Sequence, residues 1–444
     1  MSKMRLAIVG AGPAGIYAAD LLIKSELRDF EVSIDIFDLL PAPYGLVRYG
    51  VAPDHPRIKG IIRALYEVLD RGDIRFFGNV QYGKDITMAD LKQHYNAVIF
   101  STGAVKDADL NIPGIDLEGS FGAAEFVNWY DAHPDFPRNW PLNAKEVAVI
   151  GNGNVALDVA RVLSKLPEQM LATDIPANVY EGLKVSPVTD VHVFGRRGPA
   201  QVKFSPLELR EATHIEGVDC IVYDEDFQYD DASREAIDSN NQTRVMVNTL
   251  EALREEPQNT GAKRRLHLHF FSTPIEVVGV DGKVAALKIE RTKLDGKGGV
   301  IATGEFREIP VQAVYRAVGY FGSELPEVPF DSKYGVIPNE GGRVAPGVYA
   351  TGWIKRGPVG LIGHTKSDAI ETIGKVVADK ATWWQPTSPS EESVVELLES
   401  RGVDFVGWPG WLKIDAQEIA LGEAAGRERI KLVEREDFLS VAKS

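Results

Sequence analysis

Cysteine is almost absent: Cys220 is the only one in 444 residues. That excludes an internal disulfide framework, a CxxC redox pair and an iron–sulfur cluster held by the chain's own thiolates. A reducing, cytoplasmic compartment fits best. No apolar run approaches the length needed to span a bilayer. The opening residues MSKMRLAIVG already read as a strand, so no secretory or transit peptide is expected ahead of the fold. Positive charge is also in deficit, since 49 Lys plus Arg against 64 Asp plus Glu give a formal net charge of −15. That balance argues against general binding to nucleic acid or to anionic membranes. What remains, 44% hydrophobic and 25% charged residues, suits a soluble globular chain of two or three domains.

Arg5 to Val9 is a short apolar strand running into Gly10-Ala11-Gly12-Pro13-Ala14-Gly15. Ile16 to Lys24 follows with apolar residues at helical spacing, and Val32 to Phe37 alternates as a strand ending at Asp38. This is a βαβ dinucleotide fingerprint in its proper setting. The glycines permit a tight turn and close backbone approach to a pyrophosphate, and the helix N-terminus supplies N–H donors. Asp38 can accept hydrogen bonds from ribose hydroxyls and repels a 2′-phosphate, so this turn suits FAD or NAD. A helix is expected over Ile58–Leu69, and strands over Ile74–Phe77 and Ala97–Phe100 complete the lobe.

A second such unit runs from Val147–Ile150 through Gly151-Asn152-Gly153-Asn154-Val155-Ala156 into a helix at Leu157–Leu166. Its partner strand Val191–Phe194 comes late, after an apparent insertion at 167–190, and ends not in an acid but in Arg196-Arg197. Two guanidiniums at that place can pair with a 2′-phosphate bidentately, the mark of an NADP site. One acidic and one arginine-marked turn imply two different dinucleotides, and the economical chemistry is hydride transfer from NADPH to a flavin. Beyond it, a helix is expected over Pro206–Ala212, and residues 214–318 read as breaks between hairpin-like strands at Leu266–Phe271, Glu276–Val280 and Ala285–Thr292. A helix at Ser367–Asp379 and a charged, mostly helical tail at 391–444 close the chain.

Longer motifs carry a family resemblance. The run Pro43-Tyr44-Gly45-Leu46-Val47-Arg48-Tyr49-Gly50-Val51-Ala52-Pro53-Asp54-His55-Pro56 resembles the signature of the adrenodoxin reductase family, which includes bacterial ferredoxin–NADP reductases. GNGNVALDVAR at 151–161, Gly195–Pro199, Leu207–Glu211 and Gly352–Gly363 are similar as well, so the resemblance covers nearly the whole chain. Asp38 stands where many members have Glu, and Pro206 just precedes the Leu207–Glu211 motif; both departures are modest. The resemblance implies an α/β fold with two Rossmann-like dinucleotide-binding domains of the disulfide-reductase (glutathione-reductase-like) type. The FAD domain would comprise 1–104 and 320–390, with an NADP domain at 105–319 inserted and the tail 391–444 packed on the FAD domain. It implies FAD contacts at Gly10, Gly12, Pro13, Ala14, Gly15, Asp38, Leu46, Val80, Trp353, Gly360, Leu361 and Ile362. It implies NADP contacts at Gly151, Asn152, Gly153, Asn154, Val155, Arg196, Arg197 and Glu208, with Gly360 near the nicotinamide.

The same resemblance implies polar groups around the reacting rings at His55 and Glu211, with Asp158 a candidate neighbour and Trp353 covering or edging the flavin. By composition alone each has a plainer reading: a structural histidine in a Pro-rich loop, charges on helix surfaces, a tryptophan packed beside glycines. The implied activity is that of a ferredoxin–NADP(+) reductase, using FAD and NADP(H) and passing single electrons to a ferredoxin-type iron–sulfur protein. Because ferredoxins are usually acidic, docking calls for a local basic patch. Candidates are Arg196, Arg197, Lys203, Arg210, Lys263, Arg264, Arg265, Lys355 and Arg356. A monomer is expected. The rival readings are a flavin monooxygenase or diaphorase with another acceptor, and a non-catalytic dinucleotide-binding redox sensor.

Overall fold

The computed structural model describes residues 2–258, 260–360 and 362–444, and among them the chain divides into two units. The first comprises 1–106, 131–135 and 320–444; the second comprises 107–130 and 136–319.

The first unit is built on a six-stranded sheet ordered Arg343–Ala345, Val348–Ala350, Ala97–Phe100, Ser2–Val9, Phe30–Phe37, Ile74–Phe77. Every pair is parallel except the first. The strands at its centre are runs of apolar residues because helices cover both faces. Ile8, Ile34, Ile36 and Ile99 pack on one side with the Pro13–Ile23 helix, whereas Ala7, Val9, Phe37, Val98 and Phe100 pack on the other. The Pro13–Ile23 helix starts at the first glycine turn, with Pro13 at its first position, where a missing N–H costs nothing. It packs against the Ile362–Ala378 helix. The tail forms three helices, Glu391–Ser400, Trp408–Ala424 and Arg435–Lys443, and Trp411, Ile414 and Phe438 enter this unit's core.

The expected helix at 58–69 is two pieces, Pro56–Lys59 and Ile62–Leu69, with Gly60 capping the first and both Gly60 and Ile61 keeping right-handed dihedrals between them. The expected helix at 367–379 begins earlier, at Ile362, so the preceding glycine-rich loop leads straight into a helix N-terminus.

The second unit holds a six-stranded parallel sheet ordered Ser120–Gly122, Ala313–Arg316, Glu146–Ile150, Asp190–Phe194, Arg264–His269, Val218–Val222. A three-stranded antiparallel sheet, Ser272–Val280, Lys283–Leu294 and Val300–Pro310, packs Val277, Leu287 and Ile289 against Ala148, Ile150 and Phe194. Two helices, Asp231–Ser239 and Asn241–Glu255, occupy a stretch whose Asp and Asn residues read as breaks in the sequence. Asp230 and Asn240 are instead N-caps, accepting from the N–H groups of Ser233 and Thr243. The insertion at 167–190 contains a short 3-10 turn and the Ala177–Lys184 helix.

Candidate functional site

In the first unit the strand Ser2–Val9 ends against the Ser101 turn, and a Cβ at Gly15 would lie 2.2 Å from the carbonyl oxygen of Gly10. That glycine is therefore fixed by helix–strand packing. Gly12 differs: the nearest atom to an added Cβ is the Gly45 Cα at 3.8 Å, and Gly45 itself takes φ +50° to pass this close. The Tyr44 N–H donates to the Ala11 carbonyl at 2.8 Å, so the 44–50 loop forms a wall of the turn. Packing does not explain the bare backbone at Gly12; close approach of a pyrophosphate does. Pro13 and Ala14 open the helix, whose N–H groups face the same turn.

Asp38 ends the second strand, partly exposed, and accepts from the N–H of Ala11 at 2.6 Å and of Leu40 at 2.8 Å. Burial pushes its carboxyl up to about 6, opposed by those two N–H groups and by the Arg435 guanidinium. Val80 is buried and donates its N–H to the Asp38 carbonyl at 2.8 Å. Leu46 begins a single helical turn, Leu46–Tyr49, and is half-buried. Gly352, at φ +75°, comes so close to Ala14 that an added Cβ would stand 2.6 Å from the Ala14 Cβ. This contact sets the half-buried Trp353 beside the first turn. Gly360 is exposed at φ +86°, Ile362 opens the following helix, and Leu361 lies outside the described residues. His55 is buried, 2% exposed, and its carbonyl accepts from Ile58 and Lys59 at the start of the Pro56–Lys59 turn.

The second unit repeats the device with different chemistry. Gly151 lies against the Ala317 carbonyl, and Ala156, fully buried, takes the place of a third glycine. An added Cβ at Gly153 would meet nothing within 4 Å, again leaving room for a ligand rather than for packing. Asn154 and Val155 open the Asn154–Ser164 helix, and the Asn154 Oδ1 accepts from the Ser205 N–H at 2.9 Å. The Asn152 carbonyl accepts from Lys203 at 2.9 Å, which ties the 203–205 segment to the turn. After the Asp190–Phe194 strand, the backbone carbonyls of Arg196 and Arg197 are pinned by the Thr292 hydroxyl at 2.7 Å and the Phe271 N–H at 3.1 Å. Arg196 is exposed and Arg197 half-buried, and among the described residues neither guanidinium is hydrogen-bonded or ion-paired. Anchored backbone with unspent guanidiniums is what recognition of a 2′-phosphate needs.

Asp158 and Glu208, both buried, meet through a residue that the sequence reading did not single out. Arg161, fully buried, pairs with Asp158 at 2.8 Å and with Glu208 at 3.4 Å. The signal was present, since Arg161 is three residues beyond Asp158 on the same helix. Glu211 sits one turn past Glu208 on the Pro206–Thr213 helix, half-buried. Pro206 at the first position and Ser205 as N-cap account for the proline before this helix.

The proposed basic patch shrinks. Arg264 is buried and spends its guanidinium on the carbonyls of Leu163 and Lys165, at the end of the Asn154–Ser164 helix. Arg265 holds Asp190 with two hydrogen bonds. Lys355 is buried between Asp368 at 2.8 Å and Glu371 at 2.6 Å. These three are structural cations. In the second unit Arg196, Lys203, Arg210 and Lys263 remain exposed.

Residues 4–181 match the family described as pyridine nucleotide-disulphide oxidoreductase. The chain is 40% identical to the NADPH-ferredoxin reductase FprA of Mycobacterium tuberculosis, over 99% of each chain. It is 38% identical to the human mitochondrial NADPH:adrenodoxin oxidoreductase, over 98% of this chain and 91% of that one. The chain belongs to the adrenodoxin reductase family. The solved structure of M. tuberculosis FprA in complex with NADPH superposes with a TM-score of 0.93 at 38% identity, covering 100% of both chains. The expected fold class therefore holds, and the chain is an FAD-dependent oxidoreductase of the adrenodoxin reductase family, with FAD and NADP(H) as its cofactors.

Proposed function

We infer that the chain is a ferredoxin–NADP(+) reductase that accepts hydride from NADPH and passes single electrons to a small iron–sulfur protein. The observation that carries this is the pair of unlike cradles: Asp38 beside one turn, two unspent guanidiniums beside the other. When bound, the flavin supplies the conversion of one hydride into two separate electrons. The chain's residues contribute position and charge. The first turn, with Gly10, Gly12, Pro13, Ala14 and Gly15, holds the FAD pyrophosphate, and Asp38 accepts its ribose hydroxyls. Leu46, Val80, Trp353 and Gly360 line the remainder. Asn152–Val155, Arg196, Arg197 and Glu208 hold NADP(H), and His55, Asp158, Glu211 and Trp353 act around the reacting rings.

This chain's single cysteine leaves no dithiol pair for disulfide exchange, which favours a protein acceptor that takes electrons directly. The exposed cations of the second unit that NADP(H) does not use, Lys203, Arg210 and Lys263, steer an acidic ferredoxin. No helix among the described residues is long and apolar enough to cross a membrane, and the lone cysteine favours the cytoplasm. The test is anaerobic. Flavin absorbance bleached by stoichiometric NADPH and restored as added ferredoxin is reduced is the expected result. Bleaching without restoration overturns the acceptor, and a flavin untouched by NADPH overturns the reaction.

A further inference from the structure

The C-terminal segment makes contacts that the reaction as described does not use. Arg48, in the loop that walls the first glycine turn, is 4% exposed and makes two hydrogen bonds, of 3.0 and 2.5 Å, to Glu418. Glu418 is fully buried and also accepts from Arg429 at 3.1 Å and from the Leu432 N–H at 2.9 Å. Lys431, also buried, donates to the Arg48 carbonyl at 2.8 Å and to Asp131 at 3.2 Å. The Arg48 guanidinium lies over the Trp411 ring at 5.3 Å, and that ring meets Tyr44 edge-on at 5.7 Å. One loop residue is thus gripped by side chain and backbone from the tail.

A second grip reaches the other wall. Arg435 donates to the Leu39 carbonyl at 3.0 Å and to the Asn79 side chain, immediately beside Asp38 and Val80. Val406 and Gly78 exchange two backbone hydrogen bonds of 2.8 Å, and Asn79 donates to the Asp404 carbonyl at 2.7 Å. A buried ion pair is a poor way to gain stability, because desolvating the two charges offsets most of their attraction. It is a good way to specify one geometry. Both grips end on backbone that the FAD cradle requires.

We propose that residues 404–435 form a clasp that holds the FAD cradle in its binding geometry, with Glu418 and Arg435 as positioning residues. The inference rests on the reading of the first turn as the FAD site. Glu418 acts through Arg48 on the 44–50 loop. Arg435 acts on the 38–40 turn by its hydrogen bonds and by its charge, which favours the ionised form of Asp38. The groups facing that carboxyl are the Ala11 and Leu40 N–H donors, Arg435 and, at longer range, Tyr49.

The test uses the full chain, stripped of FAD and reloaded, with Glu418→Gln, Arg435→Gln and Arg435→Lys. FAD affinity is measured by flavin fluorescence across pH, with calorimetry of 2′,5′-ADP as a control for the second unit. Glu418→Gln is expected to weaken FAD by about tenfold or more, through lost preorganisation, with 2′,5′-ADP affinity unchanged. Arg435→Gln is expected to move the midpoint of the FAD pH profile upward, and Arg435→Lys to return it. FAD affinity within twofold of wild type in Glu418→Gln, with an unmoved profile in Arg435→Gln, overturns the clasp. So does a parallel loss of FAD and 2′,5′-ADP binding, which would mark general destabilisation. A wild-type chain that takes up no FAD overturns the reading beneath it.

Discussion

At single residues, the proposed function has charge decide which dinucleotide each turn accepts. Arg196 and Arg197 have anchored backbones and guanidiniums without a partner among the described residues, which on the proposed function leaves them for a 2′-phosphate. Hydrogen bonds between charged groups contribute about 1.5–3 kcal/mol each. Replacing both arginines by Gln is therefore expected to lower kcat/KM for NADPH by about two orders of magnitude and to leave NADH within a few-fold. Equal losses for both nucleotides in steady-state assays would refute the assignment. Asp38 titrates where it can be seen, with burial pushing its carboxyl up to about 6. On the proposed function its ionised form accepts hydrogen bonds from the ribose hydroxyls, so FAD affinity is expected to be flat above about pH 7. It should fall, by up to about tenfold per unit, as pH drops through the folded value. The sign for the FAD-free fold is opposite: an acid whose value is raised on folding loses stability as pH rises. Asp38→Asn should bind FAD weakly and without that pH dependence, which a fluorescence titration would read directly.

Among the elements, adjacent strands of the second sheet place three histidines in one cluster. His192 on Asp190–Phe194 stacks on His267 of Arg264–His269 at 4.3 Å and hydrogen-bonds His269 at 3.0 Å. Burial pushes His192 down to about 3, so it stays neutral when folded, and burial lowers His267 and His269 in the same direction. The unfolded chain takes up their protons near pH 6.5, so their stability contribution is complete above that value and is lost as pH falls through it. His192 alone can cost up to about 1.4 kcal/mol per pH unit in that window. Urea unfolding between pH 7 and 5 should show the second unit weakening, and His192→Leu should shrink the slope; an unchanged slope would refute the cause. Such elements were partly legible in the sequence. Ile74–Phe77 and Ala97–Phe100 were readable to the residue, because a short apolar run between polar ends has few alternatives. Residues 231–255 were not, because Asp230 and Asn240 serve equally as loop residues or caps, and only the helices that follow decide. The Val300–Pro310 strand was hidden as well, being largely exposed and without alternation. The two glycine turns could be read because a tight strand-to-helix turn writes its need for glycine into a few adjacent residues. The Arg48–Glu418 pair could not, because 370 residues separate partners that no local pattern joins.

For the whole molecule, two electrostatic scales make opposite predictions about the acceptor. A net charge of −15 repels an acidic ferredoxin at long range. On the proposed docking, the cations that NADP(H) does not use, Lys203, Arg210 and Lys263, exposed on the second unit, would attract it at short range. Screening decides between them. At 0.1 M ionic strength the Debye length is about 10 Å, so charges beyond that distance are largely muted while a patch at the docking face is still felt. The local term should therefore govern association, and salt should weaken it. The rate of reduction of an acidic ferredoxin at saturating NADPH is expected to fall by about tenfold between 0.1 and 0.5 M salt, the sense of steering by opposite charge. Flavin bleaching by saturating NADPH, followed by stopped flow in the same buffers, should change little. Charge reversal at Lys203 and Arg210 together should flatten the salt dependence and slow only the ferredoxin step. A ferredoxin rate that climbs with salt would mean that the global negative charge dominates, and the docking face would then have to lie away from these cations.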